Sequence, residues 1–258
     1  MKVRILGCSG GIGGRHLRTT AILVDEDILI DCGTGVADLS MAELARIDHV
    51  FLTHSHLDHI ACLPLMIDTV GDIRSRPLMV HALPETIDTL RKHIFNWAIW
   101  PDFSQIATDG FPWLAFEPLG VGQGVSLDMQ STRRITALPA SHTVPAVAYQ
   151  LDGTAASLVF SGDTGPCPAF WTAVNAIPNL KTLLIETAFS DHQRKTAEQS
   201  LHLCPSLLRG ELARLQSRPE IYITHLKPGQ IERTLQEIDT DGGEFAPLAL
   251  QNNQVFEL

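Results

Sequence analysis

Short apolar runs bounded by turn residues alternate with amphipathic stretches along most of the chain. In the first half, residues 3–6, 20–24, 28–31, 48–53 and 78–81 read as strands, and Asp25-Glu26-Asp27 turns the second onto the third. A helical pattern starts at Ser40, where Glu43 completes a capping-box signature. A second covers 60–70. A third begins at Pro84, since proline is tolerated at the first helical position. The second half repeats this logic. Strands are predicted at 134–138, 147–151, 157–161, 182–185 and 221–224, and helices at 169–176 and 230–238. A long helical pattern over 196–215 is interrupted near Pro205. Between the halves, residues 95–120 collect Trp97, Trp100, Phe103, Phe111, Trp113 and Phe116, with Pro101 and Pro112, and read as an irregular, aromatic-rich insertion. Two sets of strands interleaved with helices predict an α/β chain folded as an αββα sandwich, two sheets face to face with helices outside. No linker or short repeat breaks residues 1–258, so one domain is the simplest reading.

Composition narrows the function. Apolar residues make up 45% of the chain, the share of a globular protein. Acids outnumber Lys and Arg 29 to 19, giving a net charge of −10 with no visible basic face. Long nucleic acid is therefore disfavoured as a substrate, because phosphate neutralisation drives that binding. A small phosphate ester is still compatible, since bound dications would reverse the local field. Cys8, Cys32, Cys62, Cys167 and Cys204 are odd in number, widely spaced and without a CxxC, which argues against a disulfide framework. With no signal-type apolar segment at the start and no membrane-length apolar run, a soluble, cytoplasmic protein is expected.

The chemistry concentrates in His54-Ser55-His56-Leu57-Asp58-His59, directly after the apolar strand that ends at Thr53. Four such side chains make a poor core, since each imidazole would need hydrogen-bond partners and a buried carboxylate a counter-charge. A metal resolves both. Three strand-end residues could complete a cage: His142 in Ala140-Ser141-His142-Thr143, Asp163 in Ser161-Gly162-Asp163-Thr164, and His225 in Ile223-Thr224-His225. Each alone is more often a bland turn residue; their order behind the first motif gives them weight.

That order, HxHxDH, then His, then Asp in a Gly-Asp-Thr turn, then His, resembles the metallo-β-lactamase superfamily over nearly the whole chain. The resemblance implies the four-layer metallo-β-lactamase fold. It places His54, His56 and His142 on one metal and Asp58, His59 and His225 on the other, with Asp163 bridging and Asp31 orienting a ligand imidazole from behind. Three stretches look like class II cyclic-nucleotide phosphodiesterases, which open the 3′,5′-cyclic phosphate of cAMP or cGMP. They are His56-Leu57-Asp58-His59-Ile60, the run from His93 to Pro101, and Thr224-His225-Leu226-Lys227-Pro228. Ala61-Cys62, Trp97-Ala98 and Asp102 depart from that family's usual residues.

Imidazole and carboxylate without thiolate suit two divalent ions, zinc first, with iron or manganese as alternatives. Two dications flanking one water lower its pKa to about 7, so hydroxide becomes the nucleophile, with Asp58 and Asp163 as the catalytic carboxylates. The expected substrate is a small phosphodiester. Phe95, Trp97, Trp100 and Phe103 could form a stacking wall for a base, or equally the insertion's own core. His93, Asn96, Trp100 and Lys227 are candidate substrate contacts. Glu186 is either a support behind a ligand or a strand-end cap. The glycine run Gly7–Gly14 matches no phosphate-loop spacing and reads as a turn near the site or part of its mouth. Competing readings are a different small phosphodiester, a lactone, a transfer-RNA 3′-end endonuclease, or a metal- or nucleotide-binding sensor without turnover. A homodimer is compatible with relatives of the fold.

Overall fold

In the computed structural model, which describes all residues except 15, 131 and 241–244, the first half runs through β1 (Lys2–Gly7), β2 (Ala21–Val24), β3 (Ile28–Ile30), α1 (Met41–Leu44), β4 (His49–Phe51), α2 (Leu57–Ile60), α3 (Leu63–Val70), β5 (Leu78–Ala82) and α4 (Pro84–His93). A small hairpin, β6 (Ala107–Thr108) with β7 (Phe111–Pro112), leads into β8 (Leu114–Pro118). The second half adds β9 (Gly124–Ser126), β10 (Arg134–Pro139), β11 (Val147–Asp152), β12 (Ser157–Phe160), α5 (Pro168–Asn175), β13 (Leu180–Glu186), α6 (Arg194–Ser200) and α7 (Pro205–Leu212). It closes with β14 (Glu220–Thr224), α8 (Ile231–Thr240), β15 (Leu248–Ala249) and β16 (Val255–Glu257).

The strands form two seven-stranded sheets, ordered β16-β1-β2-β3-β4-β5-β8 and β15-β14-β13-β12-β11-β10-β9. Side chains alternate across each strand, so one run feeds two apolar layers. Ile28 and Ile30 of β3 point between the sheets, where they meet Tyr149, Leu158 and Phe160, while Leu29 joins Met66, Ile67, Ile87 and Leu90 in an outer layer. Phe170, Trp171, Leu208, Leu212 and Ile238 cover the second sheet in a third layer. Strands covered on both faces read as continuous Val/Ile/Leu runs rather than half-polar ones. The four-layer αββα arrangement is the one expected from the sequence.

Three expectations need correction. The insertion is not irregular throughout: Leu114–Pro118 pairs in parallel with β5, from Leu78↔Leu114 to Ala82↔Pro118, and forms the sheet edge. The helical pattern over 60–70 is two helices, because Pro64 at the start of α3 cannot donate back into the preceding turn. The strand β9 was not anticipated; it is a three-residue edge paired with β10. Near Pro205 the chain breaks as expected. Leu201 ends α6 in the left-handed region (φ 51°) and Pro205 opens α7. The Ser40–Glu43 capping box is complete. All five cysteines are free thiols, and no described helix is long and apolar enough to cross a membrane.

Candidate metal centre

The parallel strands β12, β13 and β14, together with β10 and β4, end along one rim, and their last residues deliver the candidate ligands. His54 and His56 follow β4, Asp58 and His59 sit on α2, His142 follows β10, Asp163 follows β12, and His225 follows β14. The chain thus brings all seven together. They form two groups, His54, His56, His142 and Asp163, and Asp58, His59, Asp163 and His225, each with its ligand atoms within 4.8 Å of one another. Asp163 belongs to both.

Several observations test whether these residues fit metal ions. Among the described residues, His54 Nε2, His59 Nε2 and His225 Nδ1 are buried yet have no hydrogen-bond partner, a costly arrangement unless a cation takes the lone pair. His142 Nε2 and His56 Nδ1 face each other at 3.1 Å, close to the edge of about 3.3 Å that two nitrogens span on a tetrahedral ion with bonds of ~2.0 Å. Asp163 Oδ1 lies 3.3 Å from His59 Nε2 and 3.2 Å from His225 Nδ1, and its Oδ2 lies 3.8 Å from His54 Nε2. Asp58 Oδ2 is 4.0 Å from His59 Nε2 and 3.8 Å from His225 Nε2. The donor set fits two divalent ions sharing one carboxylate.

The surrounding bonds fix which nitrogen each ring presents. The Asp31 carboxylate accepts from Thr53 N (2.8 Å), Thr53 Oγ1 (2.8 Å) and His59 Nδ1 (2.7 Å). With its one proton given to Asp31, Thr53 Oγ1 can only accept from His54 Nδ1 at 3.0 Å. His142 Nδ1 donates to the Leu201 carbonyl at 3.1 Å. Each ring so held turns Nε2 inward. Burial, and then the neighbouring imidazoles, pushes His54 well below its ordinary value, and burial does the same to His225, so both are neutral donors. Burial pushes His142 down to about 4. Burial would lower His59 too, but the charges of Asp163 and Asp31 and the hydrogen bond to Asp31 outweigh it and hold His59 well above its usual value. These carboxylates demand positive charge at that ring.

Behind the centre, the fully buried Glu186 accepts from Thr164 N (3.0 Å), Ala188 N (3.0 Å), Leu203 N (3.2 Å) and His202 Nδ1 (2.7 Å). Glu186 therefore ties together the segment after Asp163 and the loop that carries Leu201 and His202. His202 stacks on His225 (5.3 Å, 17°) and meets His142 edge-on at 4.9 Å. Burial opposes a charge on His202, but Glu186 outweighs it and raises its pKa. The sequence reading missed His202. It lies between two leucines with no motif, and only Glu186 at the end of β13 hinted at a partner.

The tentative substrate contacts fare differently. Lys227 Nζ donates to Gly10 O at 2.7 Å and lies 3.4 Å from His225 Nε2. It stands at the centre, with the glycine run beside it. Asn96 spends its side chain on a local turn, Oδ1 accepting from Ala98 N and Ile99 N and Nδ2 donating to Lys92 O. His93 is exposed at the end of α4, and Trp100 packs partly buried against the outer layer. Among the described residues, no hydrogen bond or ring contact joins His93, Asn96 or Trp100 to the centre. Phe95 and Phe103 are buried against Phe116 and Trp113, so the insertion's aromatics are mainly its own core.

Comparison with known proteins agrees with this geometry. A family model described as Beta-lactamase superfamily domain matches residues 26–241. The chain is 28% identical over 253 residues to a 3′,5′-cyclic-nucleotide phosphodiesterase of Aliivibrio fischeri, covering 82% of this chain and 74% of that protein. A ribonuclease Z of Bradyrhizobium sp. (strain ORS 278) is 34% identical over 104 residues, 38% of this chain and 34% of its own. Unliganded yeast PDE1 superposes with a TM-score of 0.80 at 18% identity, over 100% of this chain and 99% of that one, a likeness of fold. A family model spanning most of the chain, on this four-layer fold, makes the protein a hydrolase that belongs to the metallo-β-lactamase superfamily.

Proposed function

We propose that the protein is a dinuclear-metal phosphodiesterase that hydrolyses 3′,5′-cyclic nucleotides to 5′-monophosphates. The observation that carries the reading is the pair of four-residue groups sharing Asp163, with three buried ring nitrogens otherwise unpaired. His54, His56, His142 and Asp163 would hold one ion, and Asp58, His59, Asp163 and His225 the other, with zinc favoured by the imidazole-carboxylate set and iron or manganese as alternatives. Ions so bound supply Lewis acidity, making water a nucleophile at neutral pH and neutralising charge on phosphoryl oxygens. The 28% identity to a named cyclic-nucleotide phosphodiesterase over 82% of the chain supports the substrate class. The excess of acids over bases, 29 to 19, weighs against long RNA.

The protein's own groups complete the reaction. Asp31 and Leu201 hold His59 and His142 in the tautomers that face inward. Asp163 is oriented from the neighbouring residue, Thr164, whose N–H is fixed by Glu186. His202, with Nδ1 bonded to Glu186, keeps Nε2 to deliver a proton to the departing 3′-oxygen. Lys227, anchored on Gly10 O, places positive charge at the mouth beside His225. The test is turnover of cAMP and cGMP by metal-loaded protein, run beside bis-p-nitrophenyl phosphate and a precursor transfer RNA. Conversion of either cyclic nucleotide to its 5′-monophosphate is expected; cleavage of the transfer RNA alone would refute the reading.

A further inference from the structure

The inner surface of the centre is imidazole and carboxylate, yet two of the most exposed large aliphatic side chains lie beside it. Leu57 is 67% exposed and stands between His56, from one ligand group, and Asp58, from the other. Ile12 is 73% exposed on the glycine run. That run is pressed onto the second group at His225. Gly10 N donates to Leu226 O at 3.0 Å, and a Cβ at Gly10 would lie 2.4 Å from His225 O and 2.9 Å from His225 Cδ2. A Cβ at Gly11 would lie 3.1 Å from Pro228. Only glycine lets the backbone lie this close to a ligand, and from Gly10 to Ile12 it reaches at most about 7 Å. His225 Nε2 and Asp58 Oδ2 are 3.8 Å apart, so Ile12, on the run packed against His225, and Leu57, next to Asp58, both belong to segments that adjoin one ligand group. Gly13 (φ 159°) and Gly14 (φ 70°) follow Ile12, and a Cβ at Gly14 would meet nothing within 4 Å.

We propose that Ile12 and Leu57 form an aliphatic pincer that grips the nucleobase of the substrate, and so set specificity for a phosphodiester bearing a flat, largely apolar group. The inference rests on the phosphodiesterase reading and assigns the base contact that the aromatic insertion does not supply. Phe95 and Phe103 are buried, Trp100 is packed against the core, and Trp97, though 61% exposed, has no hydrogen bond or ring contact with the centre among the described residues. A base between two branched side chains removes apolar surface from water on both of its faces, without hydrogen bonds that would distinguish adenine from guanine.

The test is steady-state kinetics with cAMP and cGMP on metal-loaded wild type, Ile12→Ser, Leu57→Ser and the remote exposed control Ile73→Ser. It is paired with calorimetric binding of AMP to each protein. KM and the Kd for AMP are expected to rise about tenfold in the Ile12 and Leu57 variants, with kcat within about twofold, equally for both nucleotides. Ile12→Leu is expected to restore binding, and Ile73→Ser to match wild type. Unchanged KM and Kd in both serine variants of an active enzyme would overturn the pincer and leave the phosphodiesterase reading intact. A wild type that turns over neither cyclic nucleotide would overturn the reading itself.

Discussion

Left-handed backbone gathers around the metal centre: Asp31 (φ 58°), Leu201 (φ 51°) and His225 (φ 61°). Such conformations cost about 1–3 kcal/mol each and persist where surrounding bonds over-determine them. Asp31 is held by Thr53 and His59, and Leu201 by its carbonyl's bond to His142. Asp31→Asn keeps the shape but weakens the acceptor for His59 Nδ1. Metal affinity should fall about 10–100-fold, read by competition with a chelator. His202→Gln should lower kcat on cyclic nucleotides about a hundredfold. The loss should be far smaller on bis-p-nitrophenyl phosphate, whose leaving group departs without a proton; equal losses on both would contradict a proton-donor role. The seven candidate ligands were legible because each is a polar residue just past a strand, or on the short helix that follows one, that a core cannot absorb. His202 was not, because its meaning comes from Glu186, sixteen residues away in sequence. Asn96 was over-read, because a side-chain amide serves a turn as readily as a ligand.

At the scale of elements, Gly162 shows how a turn aims a ligand. It has φ 58°, and a Cβ there would lie 3.0 Å from Thr53 Cγ2 and 3.1 Å from Val147 O. Gly162→Ala should cost about 1–2 kcal/mol through the left-handed backbone alone and displace Asp163. A lowered Tm together with loss of bound metal checks this; a lowered Tm with full metal content would show that the turn tolerates the change. Most elements could be read from period and punctuation. Pro84, Pro168 and Pro205 each open a helix. What failed was local context. The strand Leu114–Pro118 looked like more of the aromatic insertion, since only its pairing with β5 makes it regular.

Across the molecule, the apolar layer between the sheets contains an ionisable weakness remote from the metal ligands. His81 is buried, bonded to His49 Nδ1 at 3.0 Å and stacked on Phe51 at 4.3 Å. Burial, with a smaller push from His49, brings His81 down to about 4 from 6.5. The unfolded chain therefore takes up a proton below pH ~6.5 that the folded chain refuses. This contribution is fully present above pH 6.5 and is lost as pH falls towards 4, by about 3 kcal/mol in all. As pH falls through that window, the urea midpoint of wild type should drop relative to that of His81→Phe; a wild-type slope unchanged by the substitution would place acid sensitivity elsewhere. The layered architecture itself was legible, because alternating apolar faces on two sets of strands leave few other ways to be buried.

One shared aspartate and six flanking side chains are placed to hold a pair of ions. Metal content per chain, measured by elemental analysis after zinc loading and exhaustive dialysis, tests this arrangement most directly on wild type and His142→Ala. Two ions are expected in wild type, one for each ligand group, with one lost in the variant, which breaks only the His54–His56–His142–Asp163 group. A substoichiometric wild type, or a His142→Ala protein that keeps the full complement, would contradict it.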